Sequence, residues 1–163
     1  MIVVADAGPL IHLSLIDRID LLPAIYGRVL IPDLVYQEVV TAGAGLAGST
    51  ETANAAWIDI EPHDPHADLF RLLRSQLDPG EAAAVWLAVG RRADWVLSDD
   101  RQARLAAERL GIRVCGSLGI LVEAKRRDLV TSVAPLLRDL QTKGVWLSEE
   151  LIARILRELD ETG

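Results

Sequence analysis

The chain has 163 residues, half of them apolar and 25% charged, with one Cys and a net charge of −7. That length suits one domain with a full core, so neither disulfides nor a structural metal is required, and Cys115 alone cannot form an internal bridge. No apolar run reaches the roughly 18–20 residues of a membrane span and the opening MIVVADAG lacks a basic signal-peptide region, so the chain reads as cytoplasmic rather than secreted, fibrous, disordered or membrane-spanning.

In chain order, residues 2–5 form a short β-branched run, which predicts a buried parallel strand ending at Asp6-Ala7-Gly8-Pro9. Apolar positions from Leu10 to Leu22 predict one or two helices with a break near Pro23. A second strand at 29–31 ends at Pro32, and Asp33 reads as the cap of a helix through Leu34, Val35 and Val39. The small, Gly-rich stretch 42–50 predicts a mobile loop or lid. Residues 57–60 alternate like a half-exposed strand, and helical spacing returns over 66–77 and 80–91. A strand at 95–97 enters Ser98-Asp99-Asp100, and the helix after it would turn Ala103, Leu105, Ala106 and Leu110 inward before Gly111. The last strand is 112–115; beyond Ser117 the pattern is helical only, with breaks near Ser132 and at Gly144. Strands alternating with helices predict an α/β fold, with residues 1–116 as core and 117–163 as a helical extension of the same single domain, 1–163. Right-handed crossovers bring the C-terminal ends of parallel strands to one edge, where ligand sites lie.

Asp6 closes the first strand and Asp99-Asp100 close the 95–97 strand; Glu38 and Glu81 belong to helices whose starts reach the same edge. Each has an ordinary alternative. Asp6 could cap the first helix, Asp78-Pro79-Gly80-Glu81 and Asp99-Asp100-Arg101-Gln102 both have capping-box spacing, and Glu38 could be a solvated helix residue. Caps do not explain why all of these acids fall at one edge. Clustered carboxylates repel unless a cation or retained protons offset them, and an all-oxygen set without Cys or His points to Mg²⁺ or Mn²⁺ rather than Zn²⁺. Such a site suits metal-assisted phosphodiester cleavage.

Several segments together resemble PIN-domain nucleases. They are VVADAGPLI (3–11), VLIPDLVYQEV (29–39), LDPGEAAAVWLA (77–88), VLSDDRQAR (96–104) and GSLGILVEAKRRDLV (116–130). They are most similar to a poorly characterised bacterial and archaeal PIN subfamily related to VapC-like toxins. The resemblance implies a three-layer α/β/α domain around a central parallel sheet of four or five strands. It also implies an endoribonuclease that uses Mg²⁺ or Mn²⁺ and leaves 5′-phosphate and 3′-hydroxyl ends. Carried over residue by residue, it assigns catalysis to Asp6, Glu38, Glu81 and Asp99 or Asp100. The metal ligands become Asp6, Glu38, Glu81 and Asp100, because the family's acid stands two residues after a Thr or Ser, here Ser98. Ser98 could then hold a metal-bound water or phosphate; Arg101 and Arg104, which begin the helix beside the fourth acid, read as substrate-binding residues for phosphates, with ordinary arginines of an exposed helix face as the alternative. Many relatives are toxins held by a small antitoxin lying over the acidic groove, and they commonly form homodimers. A catalytically silent PIN-fold scaffold for RNA or protein is the alternative.

Lys125-Arg126-Arg127 ends a helix, where cations complement its dipole. His63 and His66 are separated by Pro65 and make a poor helical metal pair, and His12 reads as a core or interface histidine. Trp86 and Trp95 read as core, Trp57 and Trp146 as open to solvent and to stacking, and Cys115 as packing only. With five acids assigned to one groove, the total charge of −7 no longer excludes a nucleic-acid substrate.

Overall fold

The computed structural model describes residues 1–162. Its elements in order are β1 (Val3–Ala5), α1 (Ala7–Leu15), α2 (Leu21–Tyr26), β2 (Val29–Pro32), α3 (Asp33–Tyr36) with a π-helical continuation (Gln37–Ala42), α4 (Ser49–Asn54) and β3 (Ile58–Glu61). Then come α5 (Asp68–Leu73), α6 (Pro79–Arg91), β4 (Trp95–Leu97), α7 (Arg101–Arg109), β5 (Arg113–Cys115), α8 (Ser117–Arg126), α9 (Ala134–Thr142) and α10 (Glu149–Glu158). The five strands form one sheet in the order β3-β2-β1-β4-β5, every pair parallel. Val4 lies opposite Leu30 on one side and Val96 on the other.

Strand side chains alternate between the two faces, and so do the cores. Val3, Ala5, Leu97, Val29 and Ile31 pack under α1, α2 and α8. Val4 and Val96 pack under α5, α6 and α7 with Phe70, Leu73 and the alanines of α6. Helices therefore cover both sides of the sheet, the α/β/α arrangement expected. The C-terminal arm joins the first core: Leu137, Leu140, Ile152, Ile155 and Leu156 are buried among the α1 and α8 residues. Burying one such aliphatic side chain contributes about 1.5–3 kcal/mol. Among the described residues no helix is long and apolar enough to cross a membrane.

Four local expectations differ from the structure. The break in the first helical run falls at residues 16–20, where Asp17 adopts φ 54°, and not at Pro23. Pro23 is the third residue of α2, in the first turn, where a missing N–H has no intrahelical acceptor to lose. Asp33 is the first residue of α3 and not its cap; its Oδ1 accepts from the Leu34 and His63 N–H groups and pairs with His63 Nδ1 at 2.8 Å. The 42–50 stretch is a loop of turns only over residues 43–48, where Leu46 is exposed. It ends the π-helical turn and begins α4, with Ser49 and Thr52 buried and the Ser49 hydroxyl donating to Val40 O at 3.2 Å. On α7 the buried pair is Ala103 and Ala107, four apart, while Leu110 is exposed. Trp86, Trp95 and Trp57 are all half-buried, with the Arg113 guanidinium 4.5 Å above the Trp95 ring, whereas Trp146 is 85% exposed.

Candidate active site

The strand order places a topological switch between β1 and β4. Connections leave β1 toward β2 and β3 on one side, and the chain returns to β4 and β5 on the other. The C-terminal ends of β1 and β4 then open on a crevice, and Asp6 and Ser98-Asp99-Asp100 follow these two ends directly. Backbone bonds hold the ends in register: Asp6 N donates to Leu97 O and Ser98 N to Cys115 O, both at 3.0 Å.

A cleft of about 250 Å³ at this point is lined by Asp6, Glu38, Asp78, Glu81 and Asp100, with Ala7, Gly8 and Ile11. The structure thus gathers four of the five predicted acids from β1, the π-helical turn, α6 and the β4–α7 junction. It adds Asp78, which the sequence presents only as a helix cap. Three of the acids are held by helix N-termini. Asp6 caps α1, accepting the Gly8 N–H at 3.1 Å; Asp100 caps α7, accepting from Ala103 N at 2.8 Å; Glu81 Oε1 accepts the Asp78 N–H at 3.2 Å at the start of α6. Capping and clustering are therefore both true of these residues, and the positive ends of three helix dipoles lower the cost of gathering the acids.

Glu38 comes from the π-helical turn, whose wider winding sets where the carboxylate emerges. A Cβ on Gly43 would stand 2.5 Å from Val39 O, so the turn needs glycine where it ends.

The charges in the cleft are partly neutralised by protons. Burial pushes the Asp6 carboxyl up to about 7 against the hydrogen bond from Ser98, with the charge of Asp99 adding to the rise. Burial and then a hydrogen bond with Asp100 push Glu81 up to about 8. Partial burial and the charge of Asp78 also raise Glu38. Among the described residues no three of these side chains converge on a single point as ion ligands. The donor set nevertheless fits a hard divalent cation: every donor is a carboxyl oxygen, and two groups retain protons that a cation would displace.

Asp99 and Asp100 diverge. Asp99 does not line the acid cleft. His12 Nδ1 lies 2.7 Å from its Oδ2, and Ser117 donates both its N–H (2.6 Å) and its hydroxyl (2.5 Å) to the same carboxylate. Burial raises the Asp99 pKa, but these bonds outweigh it and hold the group below the usual carboxylate range; the same pairing raises His12. A Cβ on Gly116 would stand 2.8 Å from Asp99 Oδ1, so the carboxylate is wedged against bare backbone. Asp99 therefore ties α1 to α8. Asp100, not Asp99, is the cap of α7.

Ser98 is fully buried, its hydroxyl donating to Asp6 Oδ2 and accepting from Asp100 N at 3.2 Å, so it joins two of the cleft acids. Neither Arg101 nor Arg104 lines the acid cleft. Arg104 lines a larger groove on the other side of the β4 end.

The family model DUF3368, described as a PIN domain, matches residues 2–161. None of the curated proteins matches the chain. Among solved structures, a PilT N-terminus domain protein from the hyperthermophilic archaeon Sulfolobus solfataricus P2 is similar at 16% identity and a TM-score of 0.54. The match covers 76% of this chain and 93% of that one, and at this identity it is a likeness of fold.

Proposed function

The chain belongs to the PIN-domain family, and from that membership we propose that it is a metal-dependent endoribonuclease acting through the acid cleft. The observation that carries the reading is the cleft itself: Asp6, Glu38, Glu81 and Asp100, contributed by four separate parts of the chain, line one opening at the switch point of a parallel sheet. A bound Mg²⁺ or Mn²⁺ supplies water activation and charge neutralisation for phosphodiester hydrolysis. Asp6 and Asp100 would hold such an ion, oriented by the Ser98 hydroxyl that joins them. Glu81, whose carboxyl burial pushes up to about 8, would join them as a carboxylate ligand, and Glu38 would complete the set from the π-helical turn. Asp99 stays outside the chemistry as a positioning residue, by virtue of its bonds to His12 and Ser117.

RNA is the substrate in this reading. The VapC-like resemblance supplies the biological setting: a cytoplasmic toxin or toxin-like enzyme, a homodimer, restrained by a small antitoxin whose basic segment covers the acids. Cleavage of single-stranded RNA with Mn²⁺ or Mg²⁺, with and without EDTA, tests the activity against Asp6→Asn and Asp100→Asn. Cleavage by the wild type, lost with EDTA and in both variants, is the expected result. Equal cleavage by wild type and both variants overturns the assigned site. The second reading, a PIN-fold scaffold that binds without cutting, draws on the lack of three converged ligands among the described residues; RNA retained but uncut under every metal would favour it.

A further inference from the structure

A groove of about 1010 Å³ lies between the β5–α8 side of the core and the α9–α10 arm. It opens beside the acid cleft: Asp99 lines the groove and Asp100 the cleft, so the two meet at the end of β4. Arg104 extends the link, standing one turn beyond Asp100 on α7 with its N–H on Asp100 O at 3.0 Å.

The groove's charge departs from that of the chain. Of its acids, Asp99 is matched by His12 and Glu123 by Arg127 at 2.8 Å, which leaves Glu158. Arg104, Arg126 and Arg154 line the same groove, and none has a salt bridge among the described residues. Three unpaired guanidinium groups in a chain of net charge −7 mark a place for an anion. At the rim stands Trp146, 85% exposed on the α9–α10 connection. An unpaired cationic track with an aromatic platform is the arrangement that holds single-stranded nucleic acid, phosphates on the arginines and a base on the ring.

We propose that this groove is the track for the RNA strand flanking the scissile phosphate, with Arg104, Arg126 and Arg154 on phosphates and Trp146 stacked on a base. The assignment rests on the nuclease reading for the strand's identity, but not for the groove's charge or shape. It gives the C-terminal arm a role: α10 supplies Arg154 and the arm's connection supplies Trp146.

Anisotropy of a labelled oligouridylate of about a dozen nucleotides, titrated with the full chain in EDTA across a salt series, tests the track. The double variant Arg126→Ala/Arg154→Ala is expected to bind about tenfold or more weakly, with the slope of log affinity against log salt smaller by about 1.4, at about 0.7 for each lost phosphate contact. Trp146→Ala is expected to lose about five- to hundredfold and Trp146→Phe to recover most of it. Wild-type melting temperatures in these surface variants show that folding is not the cause. Unchanged affinity and salt slope in the double variant overturn the track. If such a variant also cuts RNA with wild-type KM in Mn²⁺, the track fails while the nuclease reading stands. If RNA binds through these residues but is never cut, the track stands and the nuclease reading falls. A double variant that binds RNA normally but sediments as monomer where the wild type is a dimer makes the groove a contact between copies, and the track is again overturned.

Discussion

Glu161 is the clasp of the C-terminal arm, and its removal can be put in numbers. Its carboxylate accepts from Val133 N at 2.9 Å and Ala134 N at 3.0 Å, takes the Ser132 hydroxyl at 2.9 Å and pairs with Lys125 Nζ at 3.2 Å; the side chain is 8% exposed. Burial alone would raise its pKa, but these donors win and hold it at about 2, against an ordinary value of 4.5. The folded pKa is depressed, so the stabilisation is complete above the unfolded value near 4.5 and is lost as pH falls through about 2. The gap corresponds to about 3 kcal/mol at neutral pH as a ceiling, and the nearness of solvent brings the expectation to about 2 kcal/mol. Glu161→Gln keeps an acceptor but removes the charge, so urea unfolding at pH 7 should show a loss of about 2 kcal/mol, or about 4–8 °C in Tm. The variant should also lose stability less steeply than the wild type between pH 4.5 and 2. A variant within about 0.5 kcal/mol of the wild type, or with the same acid slope, would refute the reasoning.

The cleft acids shift the other way. Asp6 and Glu81 have raised pKa values, so the metal-free chain binds more protons folded than unfolded between about pH 4.5 and 8, and its stability should fall as pH rises through that window. Asp6→Asn and Glu81→Gln should each flatten the fall in a melting series, and an unaltered fall would remove these groups as its source. Gly43→Ala would press a methyl to 2.5 Å from Val39 O. It should cost about 1–3 kcal/mol in urea unfolding and reduce RNA cleavage by displacing Glu38, whereas a fully active, fully stable variant would contradict that account. Asp100→Ala should lose about 1 kcal/mol as a lost cap, and Asp99→Ala should lose more, about 2–4 kcal/mol, because it strands the Ser117 donors and His12. Paired melting curves give the order directly, and a reversed order would undo the assignment of the two neighbours.

The sheet was legible because short β-branched runs before small-residue turns have few other solutions in an α/β chain. The gathering of Asp6, Glu38, Glu81 and Asp100 was legible too, because topology rather than side-chain detail brings strand ends together. Other features depend on partners distant along the chain. Asp99 and Asp100 are adjacent in sequence, and what separates them is His12, 87 positions away, and Ser117, 18 away. α4 lies in small, polar sequence with no apolar period, so nothing local announces it, and the helix predicted through Val39 carries no sign that its second half widens into a π-helical turn. The arm's helices are visibly amphipathic, yet only the structure shows that they cover the α1 and α8 face.

The double duty of the cleft acids also limits how this chain can change. At positions 6 and 100 an asparagine would still accept the Gly8 and Ala103 N–H groups and keep both helices started, while removing the anions on which the proposed chemistry depends. An alanine would forfeit the helix starts as well. The route from enzyme to silent descendant is therefore asymmetric, open through one amide substitution and resisted through others. A lineage that had given up the proposed cleavage should carry asparagine at these two places far more often than alanine, a record that its folding alone would preserve.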